Sequence, residues 1–251
     1  MTDTFVKRIK ESANLHSSRL VLALDPLRVK KNDLLKFAKD TVNLLSDHIC
    51  AVKINFHLLL PLDLYSEVNT ITDLAHSHDI QTIADIKLND ISSTNDVALS
   101  HLWSAGFDAL TMNPFIGFDA LRGAIANAHR RGNGIIALVY MSHKSAGDTY
   151  GLKVMDSMKR GRHVYELFLD WSEELGADGI VVGATLPEII KQCSKRVRGR
   201  ISIFSPGVGA QGGDARKALV SGSDYLIVGR SIIEAKDPEK EASRMQRLTW
   251  E

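Results

Sequence analysis

The feature that most constrains the fold is a regular alternation of short apolar runs with longer segments of helical periodicity. Nearly continuous apolar runs rich in β-branched residues are typical of parallel strands that are buried on both faces. We predict such strands at residues 19–25, 50–56, 81–88, 108–114, 134–141, 179–185, 200–207 and 224–230. Helical periodicity is clearest between them at residues 33–48, 63–79 and 164–176.

Eight β/α units in 251 residues have the size and order of a (β/α)8 TIM barrel, an α/β fold. A doubly wound open sheet is the alternative, but it usually carries a glycine-rich turn after its first strand, where this chain has ALDPLR (23–28). No linker or shift in composition divides the chain, so we predict a single barrel domain over residues 1–251. The longest irregular segment is 142–163; LKVMDSMKR (152–160) in it could form a short helix, and a lid function stays open.

The overall composition argues against several classes of partner. The formal net charge is +1, from 31 basic and 30 acidic residues, which does not favour binding to nucleic acid or a membrane surface. Cys50 and Cys193 lack metal-binding spacing and are expected to be reduced thiols. The N-terminal segment lacks the apolar centre of a secretory signal, and no apolar run approaches the roughly 18 residues of a membrane span. We therefore predict a cytoplasmic protein.

Charged side chains gather at the carboxyl ends of the predicted strands, where TIM barrels place their catalytic groups. Asp25 ends the first strand, Lys53 lies in the second, and Asp85 and Lys87 lie two residues apart in the third. Residues two apart on a strand face the same way, and buried charges are stable only when they are paired. A carboxylate can destabilise a substrate anion, while an ammonium stabilises a developing carbanion and supplies a proton. The pattern predicts chemistry at carbon without a metal or an organic cofactor.

Two loops near the C-terminus predict a phosphate site. The first, within FSPGVGAQGGDARKAL (204–219), contains four glycines that are expected to expose backbone N–H groups before a helix near Asp214. Gly229 and Arg230 follow the eighth strand and precede another predicted helix. Amide groups, helix dipoles and a guanidinium favour an anion, and the loops after strands seven and eight commonly bind phosphate in barrels.

Short motifs distributed along the chain carry a family resemblance. They are ALD (23–25), VK (52–53), D-x-K-x-x-D-I-x-x-T-N (85–95), MSH (141–143), SPGVGAQGG (205–213) and VGR (228–230). In this order and number they resemble the orotidine 5′-phosphate decarboxylase family, and its archaeal branch in particular.

The resemblance implies decarboxylation of orotidine 5′-monophosphate (OMP) to uridine 5′-monophosphate (UMP), in pyrimidine biosynthesis, with no metal or cofactor. Lys87 would protonate C6 of the base, and Asp85 would lie beside the substrate carboxylate. Lys53 and Asp90 would complete the charged array. By the same resemblance the protein is a homodimer, in which Asp90 and Thr94 reach the active site of the neighbouring subunit.

The resemblance also implies how the substrate is bound. Asp25 and Lys53 would hold the ribose hydroxyls, Ser142 would contact the pyrimidine edge, and Gln211 would bridge base and phosphate. The residues implied at the phosphate are Pro206, Gly207, Val208, Gly209, Gly212, Gly229 and Arg230.

One position departs from the family pattern, which usually has proline where this chain has Ser92. Proline would fix φ at the start of the third helix, whereas serine could cap that helix, so we expect a local change of rigidity without loss of chemistry.

Two other functions fit the sequence less well than the decarboxylase. A Mg²⁺-dependent sugar-phosphate decarboxylase or aldolase of the same superfamily places a glutamate ligand where this chain has Lys53, whose charge would repel the metal. A non-catalytic barrel that only binds a nucleotide would not need the Asp/Lys array.

Overall fold

A closed barrel of eight parallel strands forms the centre of the computed structural model, which describes residues 3–155 and 160–251. Its strands are β1 (Leu20–Leu24), β2 (Ala51–Asn55), β3 (Gln81–Leu88), β4 (Ala109–Met112), β5 (Gly134–Tyr140), β8 (Gly179–Val182), β9 (Ser202–Pro206) and β10 (Tyr225–Val228). They pair in chain order, and β10 closes the barrel by pairing with β1. The eight predicted strands and the TIM barrel are confirmed, and the alternative of an open sheet is wrong.

Helices surround the barrel and pack their apolar faces against it. They are α1 (Phe5–Leu15), α2 (Leu34–Leu45), α3 (Phe56–Leu59), α4 (Asn69–Ser77), α5 (Ser92–Ser104), α6 (Phe118–His129), α7 (Val164–Leu175), α8 (Pro187–Val197), α9 (Ala215–Val220), α10 (Arg230–Ile233) and α11 (Pro238–Trp250). The predicted helical segments coincide with α2, with α4 and the π-helical turn at 64–68 before it, and with α7. Among the described residues, no helix combines the length and apolar character needed to cross a membrane.

Inside the barrel, the side chains change from apolar to charged along the strands. Successive inward residues of β3 are Ile83, Asp85 and Lys87, because residues two apart on a strand face the same way. The amino end of the barrel is closed by α1, whose Phe5 is fully buried in the inner apolar cluster. Gly134 makes room for that ring, since a Cβ atom there would lie 2.4 Å from Phe5 Cδ1. The polar site therefore opens at the carboxyl end.

The segment after β5 contains a small hairpin. Its strands β6 (Lys153–Met155) and β7 (Gly161–His163) pair antiparallel. The helix predicted for 152–160 is wrong at residues 153–155, which are extended, and its residues 156–159 lie outside the described part of the chain. Backbone bonds across the base of the hairpin, such as Val164 N–H to Leu152 O at 2.9 Å, outweigh the weak local helix signal.

Candidate active site

Three charged residues form a connected row at the carboxyl end of the barrel. Asp85 is 6% exposed and receives hydrogen bonds from the ammonium groups of two lysines on either side. Lys53, from the neighbouring strand β2, is equally buried and contacts Oδ2, whereas Lys87 Nζ lies 2.9 Å from Oδ1. The predicted pairing of these three residues is confirmed by this geometry.

The charges of the row stabilise one another. Burial alone would raise the pKa of Asp85, but the adjacent ammonium groups of Lys53 and Lys87 outweigh it and hold the pKa well below its usual range. Asp85 is therefore a carboxylate at neutral pH, with a lysine ammonium on either side. Such a row places fixed charges of both signs at the wall of a cavity.

The backbone of Lys87 is unusual. Its φ is +50°, in the left-handed region that residues with a side chain seldom adopt. The pairing of β3 with β4 shifts register between Ala84 and Leu88, so Lys87 lies within an irregularity of the strand. Backbone strain of this kind is concentrated at functional sites.

Asp25, which follows β1, has a carboxylate oxygen that accepts no hydrogen bond from the described residues. This oxygen, Oδ1, is buried. Burial raises the pKa of Asp25, and the charges of Lys53 and Arg230 offset this only in part. A buried oxygen of this kind is suited to accept a hydrogen bond from a ligand hydroxyl.

Ser142 and the loop after β9 meet on the other side of the cavity. Ser142 Oγ donates to Gln211 Oε1 at 2.7 Å, which links the end of β5 to the glycine-rich loop. Gly207, Gly209 and Gly212 all have positive φ, which explains why this loop needs glycine.

The prediction that the loop glycines leave their N–H groups free is wrong for three of them. Gly209, Gly212 and Gly213 donate their N–H groups to carbonyl oxygens within the loop, at 2.7–2.9 Å. The predicted helix after Asp214 is confirmed as α9, with the Asp214 side chain accepting Lys217 N–H at 2.9 Å.

Gly229 and Arg230 lie at the junction of β10 and α10, next to the first strand. A Cβ atom at position 229 would lie 2.4 Å from Asp25 Oδ1 and 2.9 Å from Ala23 O. Only glycine therefore allows the two strand ends to approach this closely. Arg230 lines the same cavity and contributes a positive charge felt by Asp25.

Asp90 and Thr94 are placed differently, because both are exposed at the start of α5. The loop before α5 is held by Asn95, whose Nδ2 donates to Asp90 O at 2.6 Å. Ser92 is the first residue of α5, Ile91 is its N-cap, and no side chain caps the helix. The expectation that Ser92 caps the helix is therefore wrong, since the first helical turn begins one residue too early for it.

These groups surround a cavity of about 250 Å³. The predicted site residues that line it are Asp25, Lys53, Asp85, Lys87, Ser142, Pro206, Gly207, Val208, Gln211, Gly229 and Arg230. Asp90, Thr94, Gly209 and Gly212 are not among the residues that line it. Asn55 and Thr111 also line it and were missed, although each occupies an inward position at a two-residue spacing from a buried neighbour of its strand.

The described residues contain no group of three or more His, Cys, Asp or Glu side chains arranged to hold a metal ion. The residue at the centre of β2 that would face such an ion is Lys53, which is already paired with Asp85.

Fold and site together define a TIM-barrel enzyme with a charged site at the carboxyl ends of its strands. A model of the orotidine 5′-phosphate decarboxylase / HUMPS family matches residues 18–245, and the chain belongs to this family. It is 32% identical to the orotidine 5′-phosphate decarboxylase of Pyrococcus abyssi, over 90% of this chain and 95% of that protein.

Two solved structures share the barrel fold. The orotidine 5′-monophosphate decarboxylase of Methanocaldococcus jannaschii, complexed with the inhibitor BMP, has a TM-score of 0.75 and 26% identity, covering 92% of this chain and 97% of that one. The UMP synthase of Leishmania donovani has a TM-score of 0.86 and 24% identity. The alignment covers 98% of this chain but only 56% of the synthase, and it shows the fold alone.

Proposed function

We propose that this chain is an orotidine 5′-monophosphate decarboxylase, which converts OMP to UMP and CO₂ in pyrimidine biosynthesis. The observation that carries the proposal is the row Lys53–Asp85–Lys87 at the wall of the cavity. Membership of the family and the names of the archaeal relatives support it. The proposed decarboxylase domain comprises residues 1–251.

In the proposed reaction the bond between C6 and the carboxylate carbon breaks, and its electron pair stays on C6. The Lys87 ammonium stabilises this carbanion and gives C6 a proton as CO₂ leaves, after which water reprotonates Lys87. The ionised Asp85 beside the substrate carboxylate destabilises the bound substrate, and this repulsion ends when neutral CO₂ departs.

The remaining residues of the cavity are proposed to bind the nucleotide. Asp25 and Lys53 take the ribose hydroxyls, which would satisfy the unpartnered Oδ1 of Asp25. Ser142 and Gln211 take the base, and Gln211 also reaches the phosphate. The proposed phosphate residues that line the cavity are Arg230, Gly229, Pro206, Gly207 and Val208. Gly209 and Gly212 belong to the same loop but do not line the cavity, and we propose that they shape the loop, since their N–H groups bond within it.

The proposal requires neither a metal nor an organic cofactor. The Mg²⁺-dependent alternative is disfavoured because the Lys53 ammonium would repel a cation beside Asp85. Purified protein is mixed with OMP in excess EDTA, and the absorbance change and UMP formation are followed. We expect full turnover with EDTA. No turnover under any condition would overturn the proposal, and turnover abolished only by EDTA would support the alternative.

We further propose a homodimer in which Asp90 and Thr94 complete the site of the partner subunit. Both residues are exposed here, as are large apolar side chains of the same loop and helix and of the segment that follows β2. These apolar residues are Phe56, Leu60, Tyr65, Ile91 and Val97. Exposed large apolar side chains are typical of an interface between subunits.

The dimer can be tested by mixing two inactive variants, Lys87→Ala and Asp90→Ala. If sites are shared, some mixed dimers contain one intact site, and activity should recover towards one quarter of the wild-type value at full exchange, as binomial mixing requires. A mixture without recovered activity, although subunit exchange is demonstrated by a tag on one variant, would contradict shared sites.

We propose that the enzyme works in the cytoplasm without binding nucleic acid or a membrane. Cys50 and Cys193 are free and buried, as is typical of a protein in a reducing compartment. Cell fractionation should recover the decarboxylase activity with the soluble cytosolic proteins, and recovery with membranes would contradict this part of the proposal.

A further inference from the structure

Thr111 occupies a central position between the two proposed reactive groups. It lies on β4, is 2% exposed, and lines the cavity. Its hydroxyl is placed between the carboxylate of Asp85 and the backbone of Lys87, which belong to the neighbouring strand β3.

The direction of both hydrogen bonds is fixed by the chemistry of the groups. The N–H group of Lys87 can only donate, and it does so to Thr111 Oγ1 at 3.0 Å. The single hydroxyl hydrogen is then free for Asp85 Oδ1, which lies 2.9 Å away and can only accept while it is ionised. The bridge therefore has one arrangement, N–H to O–H to carboxylate.

The bridge connects to the irregular part of β3. Lys87 has a φ of +50°, and the ladder between β3 and β4 is interrupted there, so its N–H group needs an acceptor outside the regular pairing. Thr111 supplies that acceptor. Asp85 Oδ1 accepts hydrogen bonds both from the Thr111 hydroxyl and from Lys87 Nζ, each at 2.9 Å. The side chain of Lys87 is therefore bonded to this oxygen directly, and its backbone is linked to it through Thr111.

We propose that Thr111 is a positioning residue for decarboxylation, and this inference rests on the proposed function. Its hydroxyl holds the Asp85 carboxylate and the left-handed backbone of Lys87 in the one arrangement that directs the ammonium towards C6 of the substrate. Thr111 touches neither the base nor the departing carboxylate in this account. It acts through the two groups that do.

The test compares Thr111→Val with Thr111→Ser. Valine has nearly the shape of threonine but can neither accept from Lys87 N–H nor donate to Asp85, whereas serine can do both. We expect Thr111→Val to lower kcat for OMP by about 10- to 100-fold, the range for a lost hydrogen bond to a charged group. The Kd for UMP should stay within about twofold, because the bond serves the reaction and not binding. Thr111→Ser should keep kcat within about threefold of wild type.

A second readout isolates the effect on Lys87. The reverse of the proposed proton transfer uses the neutral Lys87 amine, which takes the C6 hydrogen of UMP and, after exchange with D₂O, returns a deuteron to C6. UMP incubated with the enzyme in D₂O therefore exchanges its C6 hydrogen through the same side chain. We expect Thr111→Val to slow this exchange, measured by NMR, by a factor similar to the loss in kcat. A purely structural role for Thr111 would lower the melting temperature without this matched loss.

Thr82→Val is the matched control. Thr82 Oγ1 also lies between a carboxylate and a backbone N–H group, Asp108 Oδ2 at 2.9 Å and Asp108 N at 3.2 Å, but at the amino end of the barrel. Its loss should reduce stability and leave kcat and C6 exchange unchanged.

The outcomes separate this inference from the proposed function. Absence of OMP turnover in the wild type would overturn both, whereas wild-type turnover combined with a wild-type kcat for Thr111→Val would overturn the inference alone. Equal losses for Thr111→Ser and Thr111→Val would also overturn it, because only one of them lacks the hydroxyl. If Thr111→Val does not fold, Thr111→Cys replaces it, since a thiol is a weak donor and acceptor. A wild-type kcat for Thr111→Cys would likewise overturn the inference.

Discussion

The two ends of the barrel contain similar charged clusters, which differ in how many of their hydrogen-bond donors are used within the protein. At the carboxyl end, Asp85 is bonded to Lys53, Lys87 and the hydroxyl of Thr111. At the amino end, Asp108 is bonded to Arg8 at 2.9 Å, His76 at 2.8 Å and the hydroxyl of Thr82 at 2.9 Å. Each cluster is thus a buried carboxylate with two basic groups and one threonine.

The basic side chains of the two clusters differ in the number of acceptors to which they are hydrogen-bonded. Arg8 also donates to Gln81 Oε1 and Gly132 O, both at 3.0 Å, so its guanidinium is tied to several elements. Lys87 Nζ has Asp85 as its hydrogen-bond acceptor within the described part of the chain, and it lines the cavity from a backbone with positive φ. A saturated cluster stabilises the fold, whereas an unsaturated cluster on a strained backbone has donors available for a substrate.

The greatest change in kcat is expected when the carboxylate at the carboxyl end is replaced, and a much smaller change when the carboxylate at the amino end is replaced. Asp85→Asn removes the charge between the lysines and should lower kcat for OMP by at least about 10³-fold, as for other preorganised electrostatic groups. Asp108→Asn should leave kcat within about twofold when both are assayed well below their melting temperatures. A loss of kcat in Asp108→Asn as large as in Asp85→Asn would remove the distinction between the two ends.

The same amino-end variant should have its main effect on stability. Asp108→Asn leaves the half-buried Arg8 and His76 without their charged partner and should lower the free energy of unfolding by about 3 kcal/mol in urea titrations. Asp119→Asn is the control, because Asp119 forms an exposed pair with Arg122 and should change stability by less than about 0.5 kcal/mol. Equal changes in the two variants would contradict the structural role given to Asp108.

One glycine at each end of the barrel makes room for a neighbouring side chain, and replacing the two should affect different properties of the protein. A Cβ atom at Gly229 would press on Asp25 Oδ1, whereas one at Gly134 would press on the buried ring of Phe5, each at 2.4 Å. Gly229→Ala should raise KM for OMP by about tenfold, equivalent to about 1.4 kcal/mol. Gly134→Ala should leave KM unchanged but lower the unfolding free energy by about 1–3 kcal/mol. A raised KM in Gly134→Ala, together with an unchanged KM in Gly229→Ala, would contradict this difference between the two ends.

The smallest expected effect is the pH dependence of the amino-end cluster. The hydrogen bond to Asp108 raises the pKa of His76 above its usual value near 6.5. Because the folded protein binds this proton more tightly than the unfolded chain, the stabilisation is complete below about pH 6.5 and is lost as the pH rises through the raised pKa. Burial favours the neutral form of Asp108, but His76 and its other partners outweigh this and lower the pKa of Asp108, so it remains ionised in this range.

His76→Gln should therefore reduce stability by about 0.5 kcal/mol at pH 5.5, a value kept small because the imidazole is 38% exposed, and by less at pH 8.5. His78→Gln is the control, since His78 is paired with the uncharged Asn43 and its variant should show no such trend. A stability difference for His76→Gln that grows with pH would have the wrong sign.

Much of the fold and of the charged row could be predicted from the sequence, because both follow from periodicity. Eight apolar runs determine eight strands, and a spacing of two places Asp85 and Lys87 on one face. The contacts between strands could not be predicted in this way. Thr111 becomes important only through its register with β3, and the positive φ of Lys87 depends on the irregular pairing there.

Local propensity also misled where tertiary bonds decide the conformation. The segment at 153–155 is extended because it pairs with 161–163, and Ile91, not Ser92, occupies the N-cap because Asn95 fixes the preceding loop. The sequence predicts free N–H donors in the glycine-rich loop, but Gly209, Gly212 and Gly213 donate their N–H groups to carbonyl oxygens within it. The positive φ of Gly207, Gly209 and Gly212 gives the loop its tight turns.

The role of Lys87 as the proton donor is tested by the steady-state decarboxylation of saturating OMP by Lys87→Ala, together with the Kd of this variant for UMP. We expect kcat to fall by at least about 10³-fold while the Kd stays within about threefold, because Lys87 is needed to protonate C6 and the other cavity residues bind the nucleotide. A folded Lys87→Ala variant that decarboxylates OMP at the wild-type rate would contradict the account.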